Sequence, residues 1–250
     1  MQPFIEYKGI RKSFGDNKVL RGVDLAVAPG ESLVILGGSG SGKSVMLKLA
    51  IGLLESDGGS IFVEGQEVTG YTEAEWMEVR RKITYVFQWG ALFDSMSVFD
   101  NVAFPLREQR LCDEKEVARR VGEKLEVVGL QGTERLSPAD LSGGMRKRVA
   151  LARAIVAEPR CILYDEPTSG LDPVTADTIN RLIRRLQKML GVTSVIVTHD
   201  IQSMFRVGDR VAFLYEGRMA FVGTPEEARK TDNPVLRGFI EGRSLDEREP

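Results

Sequence analysis

Polar and apolar residues alternate with a period near two over "FIEYKGIRKSF" (4–14) and "VLRGVDLAVA" (19–28), which predicts two strands at the start of the chain. Pro29-Gly30 marks a turn, and the run Ser32–Leu36 predicts a short apolar strand. A glycine-rich loop then opens "KSVMLKLAIGLL" (43–54), which reads as a helix, and "SIFVEGQEV" (60–68) reads as a strand and turn. "ITYVFQ" (83–88) reads as a further apolar strand.

The period changes in the middle. From about Trp89 to Ser137 the spacing is mostly helical, best seen in "DEKEVARRVGEKLEVVGL" (113–130). Val117, Val121, Leu125 and Val128 share one face, Asp113 caps the start with Glu116 as a capping-box partner, and Gly129 ends the helix. A basic, apolar-striped helix follows the polar turn in "LSGGMRKRVALARAI" (141–155). After it the strand pattern returns. "CILYD" (161–165) predicts a buried strand, and Asp172-Pro173 starts a helix striped by Ile179, Leu182, Ile183, Leu186 and Leu190 and stopped by Gly191. "TSVIVTH" (193–199) is another strand, and "RVAFLYEGRMAFVG" (210–223) predicts a hairpin turning at Glu216-Gly217.

Short apolar strands alternating with helices predict an α/β fold with a mostly parallel sheet covered on both faces. The loop at 37–44 makes it a P-loop NTPase core, with an antiparallel β flank near the N-terminus and an inserted helical subdomain. The expected division is one domain over 1–250, with the α/β core at 1–88 and 156–250, the helical subdomain at about 89–155, and a frayed charged tail at 241–250.

Composition narrows the classes. The chain has 250 residues, 42% of them apolar, which suits a globular domain. A net charge of −2 gives no global attraction to nucleic acid, and none is expected as a partner. Arg146, Lys147 and Arg148 form one small basic cluster, expected on the exposed side of its helix. Cys112 and Cys161 make no disulfide framework, and Cys161 reads as a buried core thiol. The one histidine, His199, rules out a His-rich metal site. The start, "MQPFIEYKG", shows no signal-peptide pattern, and no apolar run approaches the roughly 18 residues of a membrane span. The expected location is cytoplasmic, with any membrane role coming through a partner.

The candidate chemistry lies at strand ends. "GGSGSGKS" fits G-x-x-x-x-G-K-[ST] between a strand and a helix. Gly37, Gly38, Ser39, Gly40, Ser41 and Gly42 let successive backbone N–H groups turn toward one anion, and the helix N-terminus adds positive dipole. Lys43 reaches the β- and γ-phosphates of ATP, and the Ser44 hydroxyl ligates Mg²⁺. A plain glycine turn is the bland alternative, against which the strand–loop–helix context argues. "CILYDEP" places two carboxylates at the carboxyl end of a strand, where ligands bind in open parallel sheets. Asp165 holds Mg²⁺ and Glu166 polarises the attacking water, unless the pair is only a solvated acidic turn. His199 and Gln88 also end strands. The first is placed to touch the γ-phosphate and the second to sense Mg²⁺ or the attacking water, although neither stands out on its own.

Taken together these motifs resemble the ATP-binding subunits of ABC transporters, over nearly the whole chain and in family order. The P-loop at Gly37 to Ser44 is followed by Gln88 in the Q-loop position, "LSGGM" at the signature, "CILYDE" as Walker B, "SGLD" (169–172) as the D-loop, and His199 as the switch histidine. The resemblance implies an ATPase using ATP and Mg²⁺. It puts Phe14 where an aromatic ring stacks on adenine, with a core strand residue as the second reading. It also implies a homodimer in which Ser142, Gly143 and Gly144 of one copy bind the ATP on the other's P-loop, with Asp172 linking the two sites.

A narrower resemblance, to the Mla-type ATPases of phospholipid transport, lies in "FQWGALFDSMSVFDNVAFPLRE" and in Met145, where most of the superfamily has Gln. It implies an integral membrane permease docked at the Gln88 to Phe99 region and a periplasmic MCE-domain protein. It also places the chain peripherally on the inner membrane. Trp89, Leu92, Phe93, Met96, Val98 and Phe99 are apolar enough to dock, though about half should be core of the insert. An ABC importer subunit for an amino acid, metal or sugar shares every ATP motif and is the competing reading. A soluble ABC ATPase acting on DNA or the ribosome fits less well, because the gap from Gln88 to Leu141 is too short for a coiled coil. A GTPase is disfavoured by the missing N-K-x-D.

Overall fold

The computed structural model describes residues 2–243, in two compact units, Met1–Arg80 with Thr193–Pro250, and Arg81–Val192. The second unit is wider than the helical insert read from the sequence, because it includes the strands on either side of the helices and one helix beyond them.

The first unit opens with the hairpin β1 (Ile5–Phe14) and β2 (Asn17–Val27). Ile5, Tyr7 and Ile10 face inward with Leu20, Val23, Leu25 and Val27. The period-two pattern shifts between Tyr7 and Ile10 at a bulge. There the Gly9 N–H donates to Asp24 Oδ1 at 2.8 Å instead of to the ladder. β3 (Ser32–Leu36) is buried throughout and leads through the glycine loop into α1 (Lys43–Ala50). This helix ends four residues before the apolar pattern does. Gly52 adopts φ +66, and the Leu53 N–H turns back to Lys48 O at 2.9 Å, closing the last turn. β4 (Gly58–Val63) and β5 (Gln66–Glu67) complete a four-stranded antiparallel sheet in the order β2-β1-β4-β5. α2 (Glu73–Lys82) has no counterpart in the sequence reading. Only Trp76 and Val79 on it are buried, too few to show a periodic stripe.

In the second unit β6 (Ile83–Val86) stops two residues before the predicted Gln88. Residues 87–97 form a loop, not the start of a helical region, with Gly90 at φ +79 and Ala91 at φ +45. α3 (Val98–Glu108) starts when Ser97 accepts the Asp100 N–H at 3.0 Å. α4 (Glu114–Val127) buries Val117, Val121 and Leu125 and is capped by Asp113, as the pattern predicts. The reciprocal half of the capping box does not form, because Glu116 spends its carboxylate on Arg119 and Arg120. α5 (Gly143–Ile155) starts at an N-cap on Ser142. β7 (Cys161–Asp165) pairs in parallel with β6 and buries Cys161 fully, raising its thiol pKa. α6 (Pro173–Leu190) is capped by Asp172 and ended by Gly191 at φ +62. Its stripe is buried from Ile179 to Leu186, but Leu190, in the last turn, is 36% exposed.

The chain then returns to the first unit with β8 (Thr193–Thr198), α7 (Ile201–Val207), β9 (Arg210–Tyr215) and β10 (Arg218–Gly223). β3 pairs in parallel with both β8 and β9, and β9 and β10 form the predicted hairpin across Glu216 and Gly217. α8 (Pro225–Arg229) and α9 (Pro234–Glu241) follow, neither anticipated from the sequence. Of the predicted charged tail, residues 244–250 lie outside the described residues. Among the described residues, no helix is long and apolar enough to cross a membrane.

Candidate nucleotide site

The P-loop runs from the buried end of β3 into the first turn of α1. Gly42 takes φ +104, and a Cβ there would come within 2.8 Å of Val19 Cγ1. Only glycine therefore brings this backbone against β2 and into the left-handed turn. Gly38, Ser39 and Gly40 are exposed, while Lys43 is 6% exposed. Its ammonium donates to Gly37 O and Gly38 O, both at 2.9 Å. The loop thus wraps around its own cation. Ser41 Oγ is buried with no hydrogen-bond partner among the described residues. A buried orphan hydroxyl beside a ring of backbone amides and a lysine fits the phosphates of a nucleotide. Ser44, half-buried in the first turn of α1, offers a hydroxyl suited to Mg²⁺.

His199 leaves the same sheet edge. β3 and β8 are in register with Leu36 opposite Thr198, so Gly37 and His199 are the next residues out of neighbouring strands. His199 is exposed, and Asp200 after it caps α7 by accepting from the Gln202 and Ser203 N–H groups. Phe14, at the end of β1, is 48% exposed, with the Lys12 ammonium 5.5 Å from its ring. That exposure removes the reading of Phe14 as a core residue and leaves a ring face available to a base.

In the second unit the two carboxylates end β7. Asp165 and Glu166 are buried. The Tyr85 hydroxyl on β6 donates to Asp165 Oδ2 at 2.6 Å. Burial first, and then this bond to a carboxylate, push the phenol pKa up, so Tyr85 stays a donor. Glu166 has φ +48, a left-handed backbone that turns the chain as it leaves β7. A chemically hard carboxylate oxygen such as that of Asp165 suits Mg²⁺ and not a softer metal.

Gln88 follows β6 in a turn. Its Nε2 donates to Ser169 Oγ at 3.0 Å, joining the Q-loop to the D-loop. Trp89, 71% exposed, lies over Gly170, where an added Cβ would be 3.2 Å from its ring. The basic cluster on α5 departs from expectation at its centre. Arg146 is exposed and Arg148 half-buried, but Lys147 is only 6% exposed. Its ammonium donates to Gln88 O and lies 5.9 Å from the Trp89 ring. Burial draws its pKa down to about 8, against the opposing pull of Glu166 and Asp165. Six residues on, Arg153 donates to Gly90 O at 2.5 Å and Ala91 O at 2.9 Å.

The signature turn is exposed at Ser142. The Ser142 hydroxyl accepts the Met145 N–H at 3.2 Å, which leaves its own proton available to an anion beside the first-turn amides of Gly143 and Gly144. The two glycines differ. A Cβ on Gly144 would lie 2.8 Å from Thr175 Cγ2, whereas on Gly143 the nearest atom, Leu171 Cδ2, is 3.4 Å away. Gly144 is small because α6 packs on it, and Gly143 is not so constrained. Asp172 accepts from Val174 and Thr175 N–H at 3.0 Å each, and the Thr175 side chain first, then these backbone bonds, hold its carboxyl below the usual range. Met145 is half-buried and has no chemical role in this arrangement.

Of the predicted docking residues, Trp89 and Phe93 are exposed and Leu92, Met96 and Phe99 half-buried, but Val98 is fully buried in the insert and unavailable. The loop before it is held by Asn101, itself 0% exposed. Its amide donates to Phe93 O, Met96 O and Ser97 O at 3.1, 3.2 and 3.0 Å, and its Oδ1 accepts the Phe93 N–H at 2.8 Å. Sequence reasoning gave no role to Tyr85, Asn101 and Arg153, put Lys147 on an exposed face, and named Ser169 only as part of the D-loop. Only Asn101 left a signal, as a polar residue on the apolar face of α3.

Residues 20–169 match the family model described as ABC transporter. The probable ribonucleotide transport ATP-binding protein mkl of Mycobacterium leprae is 44% identical over 241 residues, 96% of this chain and 70% of that protein. The intermembrane phospholipid transport system ATP-binding protein MlaF of Haemophilus influenzae is 38% identical over 243 residues, 97% of this chain and 92% of that protein. A dimeric ATP-binding cassette solved in a post-hydrolysis state with ADP and Pi superposes with a TM-score of 0.80 at 32% identity, covering 88% of this chain and 98% of that one.

Proposed function

We propose a specific role for this chain, which belongs to the ABC transporter family and whose activity is ATP hydrolysis coupled to transport. Two copies close about a two-fold axis on two ATPs and drive a membrane permease that moves phospholipid or a related lipid, with an MCE-domain protein as a further partner. The chain is then peripheral on the cytoplasmic face of the inner membrane.

The P-loop amides bind the phosphates, and Lys43 exchanges the Gly37 and Gly38 carbonyls for phosphate oxygens. Phe14 stacks on adenine. Ser44, Gln88 and Asp165 are the residues that would hold Mg²⁺, which would supply positive charge to the phosphates. Glu166 takes a proton from the attacking water, and His199 steadies the γ-phosphate. Ser142, Gly143 and Gly144 complete the other copy's site with a hydroxyl and two amides. Closure follows from differential contact, because only the closed dimer offers both halves to one γ-phosphate. Its loss on hydrolysis lets the dimer open.

One observation carries the permease reading: Trp89 and Phe93 are exposed aromatics on a loop whose backbone is held by Asn101, Lys147 and Arg153. Exposed apolar groups on a fixed loop suit a partner surface. The lipid reading is supported by the likeness to MlaF, named for phospholipid transport. The likeness to mkl, named for ribonucleotide transport, supports a second reading, an importer of a polar solute. Affinity purification of the tagged chain from solubilised membranes separates them. A co-purifying permease with an MCE-domain protein is expected, and a permease with a solute-binding protein for a polar substrate overturns the lipid reading.

A further inference from the structure

One face of α5 grips the Q-loop by its carbonyls. Lys147, Ala150 and Arg153 recur every three residues and so share a side of the helix. Lys147 holds Gln88 O, Arg153 holds Gly90 O and Ala91 O, and Ala150 backs Gly90, where an added Cβ would lie 3.4 Å from the Ala150 Cβ. Lys147 is taken out of water and Arg153 partly so to reach carbonyl oxygens, an arrangement less favourable than apolar side chains on the same face unless those oxygens must be held. The bond to Gln88 O is the one adjacent to chemistry. It fixes the backbone of a residue whose side chain is bound to Ser169 Oγ at 3.0 Å and, in the role given to Gln88 above, turns from there toward Mg²⁺.

We propose that Lys147 is a positioning residue for hydrolysis: by holding the Gln88 carbonyl it sets the pivot about which the Gln88 amide reaches the catalytic site, and it ties that pivot to the signature helix. The inference rests on the role given to Gln88 above. A movement of the Q-loop then carries α5 with it, and so carries the Ser142–Gly144 half-site at the head of the same helix. A lysine serves because its single flexible ammonium follows one carbonyl through a small rotation, whereas the planar fork of Arg153 fixes two.

The test uses the purified full chain, with turnover measured against Mg²⁺ at fixed ATP, and binding of trinitrophenyl-ATP measured without Mg²⁺. Lys147→Met keeps the stem and removes the donor. It is expected to lower kcat by about ten-fold and to raise the half-saturating Mg²⁺ by three-fold or more, with nucleotide binding within about two-fold. Lys147→Arg restores both to within about three-fold of the parent. In a Gln88→Ala background, Lys147→Met is expected to add less than about two-fold, since a pivot without its amide has nothing to position. Multiplying losses in the double variant would show that Lys147 only supports the fold and would overturn the inference. So would parent-like kcat and Mg²⁺ dependence in Lys147→Met while Gln88→Ala is impaired. If Gln88→Ala itself matches the parent, the role given to Gln88 fails and this inference with it, an outcome visible in that single variant. Should Lys147→Met not show cooperative melting, Lys147→Gln, too short to reach the carbonyl, is read by the same criteria.

Discussion

The Tyr85 hydroxyl donates to Asp165 Oδ2 across the parallel pair β6 and β7, at 2.6 Å. One carboxylate oxygen is thereby oriented. Tyr85→Phe keeps the ring and removes the donor. The half-saturating Mg²⁺ for turnover is expected to rise, and urea unfolding to show a loss of about 0.5–1.5 kcal/mol. Unchanged Mg²⁺ dependence would mean that Asp165 needs no such orientation.

Glu166→Gln keeps the shape of the side chain and removes its basicity. ATP binding is expected to persist while turnover falls by at least about 100-fold, and light scattering should show a dimer that forms with ATP and does not open. Hydrolysis near the parent rate would sink the assignment of Glu166 as base.

Gly144→Ala drives a methyl against Thr175 Cγ2, where only 2.8 Å is available. Overpacking of this kind costs about 1–3 kcal/mol. Thr175→Ser removes that methyl, so the double variant should recover most of the melting temperature. Gly143→Ala, with 3.4 Å of room, is expected to be close to neutral for stability and still to slow turnover. A double variant no more stable than Gly144→Ala would refute the packing account.

Asn101→Ala removes the four hydrogen bonds that hold residues 93–97. A loss of about 2–3 kcal/mol is expected, with faster amide exchange at Phe93. Exchange at the parent rate would show that Lys147 and Arg153 suffice.

Phe14→Ala should weaken ATP binding by about 1–3 kcal/mol, the worth of one base–aromatic stack, and Phe14→Tyr should not. Equal affinities for all three would place adenine elsewhere.

The elements that could be read from sequence are those with a dominant local cause. β3 and β7 are unbroken apolar runs, α4 and α6 carry long one-sided stripes between a capping aspartate and a terminal glycine, and the P-loop declares itself by its glycines. What could not be read depends on contacts distant in sequence. α2 buries two side chains, so no period shows. Lys147 looks like one member of a solvated basic triplet until Gln88 O, fifty-nine residues away, is found against its ammonium. The loop at 87–97 is as apolar as a helix but takes its shape from α3 and α5.

That loop is held at the carbonyl oxygens of Gln88, Gly90, Ala91, Phe93, Met96 and Ser97. Every amino acid supplies that oxygen, whatever its side chain. Exchanging Trp89, Leu92 or Phe93 therefore leaves the anchoring atoms in place. Such a mount can be refitted to a different membrane partner one side chain at a time, without the intermediate sequences having to refold it.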